Sequence, residues 1–518
     1  MQRIAEIILS IVIIFSTLAF GGVQPLTYSL MEIIIFGTLV AILIRQARKG
    51  RINLPVPLWP LLFALLVIVQ LIPLPRSWIG ALNPHRLMPD SLAALAHRAG
   101  SALTISIYPH ATVLDLLKLL AYIGAFVLAA YVFDSHQRKS NLVRVLIFLG
   151  LFEAAYGIVQ YLTGWQQIFT FKKIYYRTEA TGTFINHNHF AGFIELTFPF
   201  VLASIFYYFQ IWQDGHRRGP ARLDPATVNS AGIQTLLLGF LFIVAVIAVV
   251  FSRSRAGILA TVFTIVFVGL LAQLKTRRRA WMLGMAVFVL IAVGYGLWIG
   301  LNPVLSRFEA FEGGVRYLQG EGRLSFWKST LGIIHQHPLL GVGLGAFRYA
   351  FVQHQNFMVD LSVTHAHSDY LELAAETGWI GVLLLFIPIW VLLIRMVRSF
   401  LSDTRRYRPA MTLGCIGSAL ALLIHSVADF NLHIPANALV FAVILGVGYK
   451  SAVLERQGER VKAEAADHPA VKGRVHRRPH VPSRAAPGNQ GRKRPISPSP
   501  LQRITRRAAI RPLFPSSS

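Results

Sequence analysis

The segment THAHSDYLELAAETGWIG holds a histidine and two glycines at a spacing that could serve chemistry. His367 is followed by Ser368, by nine further residues, by Gly378 and, three positions later, by Gly381. The nine intervening residues predict a short helix that Gly378 ends as its C-terminal cap. His367 then lies at the positive end of the helix dipole, which favours a neutral imidazole. The spacing therefore indicates a proton acceptor or hydrogen-bond partner at His367.

Three arginines stand apart from the basic clusters of the chain. Arg253 and Arg255, in FSRSRAG, fall between two apolar runs, where a charge is costly unless it faces a cavity or a partner. One such arginine could reach lipid phosphates, but two of them, followed by the small Gly257, favour an anionic substrate. Arg323 opens RLSFWKSTLGII, whose apolar residues recur at helical spacing. There it is either an interfacial anchor or an anion ligand.

Histidines and carboxylates between residues 301 and 378 raise the question of a metal site. They are His335, His337, His354, His365 and His367, with Asp360, Asp369 and Glu372 nearby. Zinc sites use such ligands, but no spacing of the kind His-Glu-x-x-His is present. We therefore expect no metal and no cofactor. The GVGLG that begins at Gly341 follows no predicted strand, so we interpret it as a turn rather than a nucleotide loop.

Other polar residues lie at the ends of apolar runs. Asn188 belongs to INHNHF, just before a run that carries Glu195, and His425 and Asp429 are one helical turn apart in HSVADFNLH. Intramembrane His and Asp are costly unless they are paired. His425 and Asp429 either pair with each other or take part in the site.

Composition excludes a soluble protein. The 518 residues are 54% hydrophobic and only 14% charged, with a mean hydropathy of +0.54, whereas about a quarter of the residues are charged in soluble domains. The net charge of +27 falls in short clusters between apolar runs and in a C-terminal tail, which is a pattern of membrane topology and not of nucleic-acid binding. A single cysteine, Cys415, excludes an intrachain disulfide. The first apolar run lacks a cleavage pattern, so we expect a retained helix.

About twelve apolar runs are long enough to predict membrane helices. They are Ala5 to Phe20, Leu26 to Ile44, Leu58 to Leu74, Val113 to Phe133, Leu142 to Leu162, Phe190 to Trp212, Ile233 to Phe251, Ile258 to Leu274, Trp281 to Gly300, Trp379 to Val397, Met411 to Phe430 and Pro435 to Tyr449. The sequence thus predicts an all-α, polytopic membrane protein.

Basic residues set the predicted topology, because loops rich in Lys and Arg are retained in the cytoplasm. Alternate loops are basic, which places both termini in the cytoplasm and the candidate residues on the outer side. The largest outer segment, 301–378, lies between predicted helices nine and ten. Residues 1–450 form the membrane domain, and 451–518 form a basic tail that we expect to be disordered, because it lacks apolar periodicity. The tail either binds anionic lipid headgroups or is simply solvated.

Three stretches together resemble the superfamily of bacterial O-antigen ligases, O-antigen polymerases and related exopolysaccharide polymerases. They are SRSRAG, the segment from GRLSFWKS to HQHPLLGVGLGAF, and HSDYLELAAETGWIG. The resemblance implies a GT-C-type glycosyltransferase that takes a glycan from undecaprenyl pyrophosphate without a metal. By motif position it assigns pyrophosphate binding to Arg255 and Arg323, with Arg253 as a competitor for Arg255, and catalysis to His367.

The resemblance also implies the setting of the reaction. The transfer would invert the sugar carbon, take place on the periplasmic side of the bacterial inner membrane, and use a glycan or the lipid A core as acceptor. Ligase and polymerase stay open, because both share these motifs. A transporter or flippase of lipid-linked glycans would also have many helices and outer arginines, but no inverted repeat is visible. A structural subunit of an envelope complex would have no outer Arg or His that lines a cavity.

Overall fold

The computed structural model describes residues 1–50, 52–87, 102–218, 224–277, 321–355 and 363–459. The chain divides into two units, Met1–Val453 and Leu454–Ser518. The first unit carries every candidate residue. Of the second, the structure describes only the helical residues 454–459. The predicted helix Trp281 to Gly300 lies outside the described residues, and so do residues 460–518 of the predicted tail.

Helices make up most of the described chain. In order they are α1 (Gln2–Leu18), α2 (Pro25–Ala47), α3 (Leu58–Leu71), α4 (Arg76–Leu82), α5 (Pro109–Val132), α6 (His136–Thr163), α7 (His187–Arg218), α8 (Pro225–Phe251), α9 (Arg255–Thr276), α10 (Glu321–Gln336), α11 (Phe347–His354), α12 (Asp369–Ser402), α13 (Tyr407–His425) and α14 (Pro435–Tyr449). Two antiparallel strand pairs lie in the loops: β1 (Leu74–Pro75) with β2 (Ala102–Leu103), and β3 (Gln167–Ile168) with β4 (Phe171–Lys172).

Nine spans among the described residues are long and apolar enough to cross a membrane. They are α2, α5, α6, α7, α8, α9, α12, α13 and the stretch Pro435–Glu459, which includes α14. Each corresponds to a predicted helix, so the all-α, multi-pass architecture is confirmed. Two other predicted helices are shorter than these nine spans, since α1 has 17 residues and α3 has 14. Helix α1 ends early because Gly21 and Gly22 form a turn with positive φ.

The centre of the bundle is built from α7 and α13, in which 89% of the apolar window is buried, whereas only 22% of it is buried in α8. Small residues allow the close approach of the two central helices. A Cβ added to Gly414 would lie 2.6 Å from the Phe200 ring, and one added to Gly417 would lie 2.7 Å from Pro199. Small residues at such contacts let membrane helices pack backbone to backbone. This contact joins the middle of α7 to the middle of α13.

Helix α12 is the element that presents the predicted motif. The Ser368 hydroxyl caps it by accepting a hydrogen bond from the Leu371 amide, at 3.5 Å. Gly378 breaks the helical path with φ 63° and ψ −178°, and a second helical stretch follows it directly. The predicted end of a short helix at Gly378 is therefore correct. The predicted membrane helix that begins at Trp379 likewise follows it without a loop.

The last predicted membrane helix continues beyond its predicted end at Tyr449. Helix α14 continues as a π-helical turn, Lys450–Leu454, in which Ser451 is completely buried. The predicted boundary after residue 450 therefore lies inside a helix. The apolar side chains of Ala452 and Val453, both buried, explain the continuation.

Candidate functional site

A cavity of about 780 Å³ opens between α3, α5, α11, α12 and the links that precede α7 and α14. Its polar lining comprises Asp115, Lys118, Asn186, His189, Arg348, His365, Asp369, Glu372, Glu376 and His433. Its aromatic lining includes Tyr28, Trp59, Phe63, Tyr122, Phe126 and Phe430. Ligand sites are commonly cavities of this size with apolar walls and a few convergent polar groups. We therefore treat this cavity as the candidate site.

Two histidines and two carboxylates form one hydrogen-bonded network in the cavity wall. His365 Nδ1 lies 2.8 Å from Glu372 Oε1, and the other Glu372 oxygen accepts a hydrogen bond from the Ala366 amide at 2.8 Å. His433 Nδ1 lies 2.8 Å from Asp369 Oδ1, and its Nε2 lies 3.4 Å from Glu372 Oε1. Both carboxylates are almost fully buried. Asp369 and Glu372 are three residues apart in α12, so their side chains lie on the same face of the helix. Both carboxylates can therefore contact the two histidines.

The charge of this network is balanced by His433. Burial by itself lowers the pKa of His433, but the Glu372 charge and the hydrogen bond to Asp369 outweigh it and raise that pKa to about 10. The imidazolium therefore persists at neutral pH and offsets the buried carboxylates. Without such a partner, buried charges are costly.

The same residues form a group that could hold a metal ion. Ligand atoms of His365, Glu372 and His433 all lie within 4.8 Å of one another. Local spacing gave no such set, because His433 lies far along the chain, in the link between α13 and α14. The only signal for His433 in the sequence was its position in HSVADFNLH, beside His425 and Asp429.

His367 lies beside this network and is not among the residues that line the cavity. Its backbone is left-handed, with φ 53°. Its ring lies nearly parallel to that of Phe326, with centroids 5.9 Å apart, and edge-on to Phe430 at 5.0 Å. The predicted catalytic residue thus packs between aromatic rings.

Asp429 is a second centre of charge, and it is fully buried. Burial by itself raises the pKa of Asp429, but the interaction with His189 and the charges of His425 and His367 hold it well below its usual range. His189 Nε2 lies 3.7 Å from Asp429 Oδ1, which is too long for a hydrogen bond. Asp429 therefore links His367 to residues of α7 and α13.

The SRSRAG turn is anchored by two buried serines. The Ser252 carbonyl contacts His187 Nδ1 at 2.6 Å, and Ser254 Oγ lies 3.4 Å from His425 Nε2. Ser254 also caps α9 by accepting from the Gly257 amide at 3.2 Å. His425 Nδ1 in turn lies 3.1 Å from Glu195 Oε2. The turn, His425 and the start of α7 are therefore coupled.

The two arginines of this turn differ in backbone and surroundings. Arg253 is left-handed, with φ 56°, and its guanidinium lies 5.8 Å from the centre of the Tyr161 ring. Arg255 is the first residue of α9. Both side chains are exposed, and neither lines the cavity. The structure thus places both arginines next to Ser254, which contacts His425, and neither arginine in the cavity wall.

The motif glycines have a packing role. A Cβ on Gly378 would lie 2.1 Å from the Leu339 carbonyl oxygen, and one on Gly341 would lie 2.2 Å from the Glu376 carbonyl carbon. A Cβ on Gly381 would lie 2.0 Å from Thr377 Oγ1. The GVGLG segment is thus a turn, as predicted, that packs against α12. This contact holds the Glu376 end of the cavity wall.

Arg323 is only partly described, and Asp360 lies outside the described residues. Arg323 belongs to the first turn of α10, but its side chain lies outside the described residues. Asn188 is buried as the second residue of α7, and its amide donates to Asn186 Oδ1 at 2.8 Å. The neighbours Asn186 and His189 line the cavity, whereas Asn188 does not.

Comparison with known proteins bears on the same region. A search of curated proteins found no significant match. Residues 240–386, however, match the model of a family described as O-antigen ligase. This stretch includes SRSRAG, the GVGLG turn and the motif from His367 to Gly381. The match confirms the resemblance of this stretch to the O-antigen ligase and polymerase superfamily.

Proposed function

We propose that this protein is a membrane glycosyltransferase that moves a glycan from undecaprenyl pyrophosphate to an acceptor hydroxyl, in the manner of an O-antigen ligase. The family match indicates an enzyme of the ligase or polymerase type with lipid-linked glycan substrates. The observation that carries the proposal is the family match over residues 240–386, which includes Arg255, Arg323 and His367. The cavity, with histidines and carboxylates at one wall of an apolar and aromatic space, suits an amphipathic donor with its lipid along the bundle and its sugar at the polar wall.

The chemistry follows from the residue types. Attack on the sugar carbon by the acceptor hydroxyl breaks the bond to the pyrophosphate, so negative charge develops on the leaving group. Planar guanidinium groups bind phosphate oxygens in pairs, and we assign this role to Arg255 and Arg323. A neutral histidine before α12 takes the acceptor proton, and by motif position that histidine is His367. A single displacement inverts the sugar carbon and needs no metal ion.

The setting is part of the proposal. The alternation of basic loops supports cytoplasmic termini and a site on the periplasmic side of the bacterial inner membrane. The predicted count of about twelve helices and the GT-C architecture belong to the same proposal. In this arrangement the donor reaches the site from the outer leaflet.

Deletion of the protein tests the proposal. Surface glycan is extracted from the deletion strain and from the complemented strain and is separated on a gel. A ligase predicts that all long glycans disappear from the lipid core while the lipid-linked glycan accumulates. A polymerase of the same superfamily, with a glycan repeat as acceptor, predicts single-repeat glycans instead. An unchanged glycan ladder, with no accumulated donor, would refute both.

A further inference from the structure

A second polar group, besides the histidine network, lines the cavity. It consists of Asp115 and Lys118 of α5 and Glu376 of α12. Lys118 Nζ lies 2.6 Å from Asp115 Oδ1, so these two residues form an ion pair. The pair lies within about three turns of the first residue of α5, inside a membrane span. Charged residues at such a depth are costly and mark a pathway or a binding site.

Asp115 and Glu376 lie on either side of the end of the GVGLG turn. A Cβ on Gly345 would lie 2.3 Å from Asp115 Oδ2, so this carboxyl group is directly against the glycine. Two residues further on, the Phe347 amide donates a hydrogen bond to Glu376 Oε1 at 3.1 Å. The turn therefore holds both carboxyl groups at the same part of the cavity wall.

Glu376 has one oxygen that can still form a hydrogen bond. The residue is only 1% exposed. Within the part of the chain that the structure describes, Oε2 has no hydrogen-bond partner. A buried polar atom without a hydrogen bond is costly. Because Glu376 lines the cavity, a bound molecule can supply the missing partner.

Aromatic rings complete the surroundings of the ion pair. Lys118 Nζ lies 4.7 Å from the centre of the Tyr28 ring. Tyr122 follows Lys118 by one helical turn, and Trp59 lies across the same cavity. Flat aromatic faces beside hydrogen-bonding groups match a sugar ring, which has C–H groups on its faces and hydroxyl groups around its edge.

The charges of this group favour a neutral ligand. The carboxyl groups of Asp115 and Glu376 are offset by Lys118 and by Arg348, which also lines the cavity. Lys118 is engaged by Asp115, so a pyrophosphate at this place would meet two carboxyl groups and a cation that is already paired. A hydroxyl group both donates and accepts hydrogen bonds, so it can bind Glu376 Oε2 whether or not that carboxyl group carries a proton.

We propose that Asp115, Lys118 and Glu376 form a subsite that binds one sugar ring of a glycan substrate through neighbouring hydroxyl groups. This inference rests on the proposed glycan transfer and specifies where in the cavity the glycan lies. Pyrophosphate binding stays with the arginines, and the proton step stays with His367. The sugar ring belongs either to the donor or to the acceptor, because both carry sugars.

Replacement of the ion pair by apolar residues tests the subsite. Asp115→Leu and Lys118→Met are combined in one double variant, because removal of one partner alone would leave an unpaired charge in the membrane span. Apolar residues of similar size in place of both partners are expected to leave stability intact. Thermal unfolding close to that of the wild type shows that the double variant is folded.

The assay measures the release of undecaprenyl pyrophosphate by full-length protein purified in detergent. Two fractions of the deletion strain are the probes: the lipid-linked glycan as donor, and the lipid core without glycan as acceptor. The double variant should raise the KM for one of these fractions about tenfold to a hundredfold, the effect of losing a hydrogen bond to a charged group. Its kcat should stay within about threefold of the wild type, as expected for a loss of binding alone.

Two substitutions of Glu376 give a second readout. Glutamine keeps an oxygen for the Phe347 amide and can hydrogen-bond to a hydroxyl group, so Glu376→Gln should keep the KM within about threefold of the wild type. Methionine can do neither, and Glu376→Met should raise the same KM about tenfold or more. If Glu376→Met does not fold, the double variant decides.

Asp214→Leu combined with Arg406→Met is the matched control. The Arg406 guanidinium lies 3.1 Å from an Asp214 carboxylate oxygen, and neither residue lines the cavity. This variant also replaces an ion pair by apolar residues. It should keep the wild-type KM for both fractions.

The outcomes separate the subsite from the reaction itself. An increased KM for either fraction in the Asp115 and Lys118 double variant supports the inference, and the fraction concerned identifies the molecule that carries the sugar ring. Unchanged KM values in the folded double variant overturn the inference, and so does an equal increase in the control. A fall in kcat alone also overturns it, because the group would then serve turnover and not binding. A wild type that releases no undecaprenyl pyrophosphate refutes the proposed function, and the inference with it.

Discussion

Replacement of Gly378 by alanine should destabilise the protein, because this position of α12 requires a glycine. Gly378 has φ 63° and ψ −178°, a conformation that is almost restricted to glycine and costs other residues about 1 to 3 kcal/mol. The new Cβ would also lie 2.1 Å from the Leu339 carbonyl oxygen. Relief of such an overlap costs about 1 to 3 kcal/mol. From the two effects together we expect the free energy of unfolding to fall by roughly 2 to 6 kcal/mol.

The Gly378→Ala substitution should also change the cavity. The Trp379 amide donates to the Pro338 carbonyl at 2.8 Å, and the Gly343 amide donates to the Glu376 carbonyl at 2.9 Å. If the turn around Leu339 moves to accept a methyl group, these bonds shift and Glu376 leaves its place in the cavity wall. Turnover should therefore fall together with stability.

Gly37→Ala is the matched control. Gly37 lies inside α2, and a Cβ there meets no atom within 4 Å, so the helix should gain rather than lose stability, by at most about 1 kcal/mol. Both variants are purified in detergent, and thermal unfolding and glycan transfer are measured. A Gly378→Ala protein that unfolds at the wild-type temperature and transfers glycan normally would refute the reasoning about this contact.

Three further predictions concern the arginines, the tail and metal ions. Arg255→Ala should slow transfer about a hundredfold to a thousandfold, which is the effect of losing one preorganised donor, and Arg255→Lys should recover the rate only in part. A larger loss of rate in Arg253→Ala would assign pyrophosphate binding to Arg253 instead. Removal of residues 460–518 should leave transfer in membranes unchanged, because the site lies in the first unit, Met1–Val453. A shortened protein that inserts normally but makes no product would contradict this. Treatment with a chelator, followed by transfer assays, should leave activity intact, and lasting inactivation that one divalent metal reverses would show that His365, Glu372 and His433 hold an ion.

The sequence by itself determined the membrane architecture and the local geometry of the motif. Apolar runs of sufficient length predict spans whatever their neighbours, because a bilayer imposes its thickness on each helix separately. The end of the short helix at Gly378 and the turn at GVGLG were equally readable, since glycine is the residue that takes positive φ at little cost. These features depend on a few consecutive residues, and the structure confirms them.

Tertiary structure decided which polar groups meet. His433 joins Glu372 only because the link before α14 packs against the start of α12, and no local spacing encodes this contact. The left-handed backbone at His367 is likewise not fixed by residue type. Buried charges find their partners across helices that are distant in sequence, because pairing is what makes their burial tolerable. The residues of the candidate site could thus be named from the sequence in part, but their partners could not.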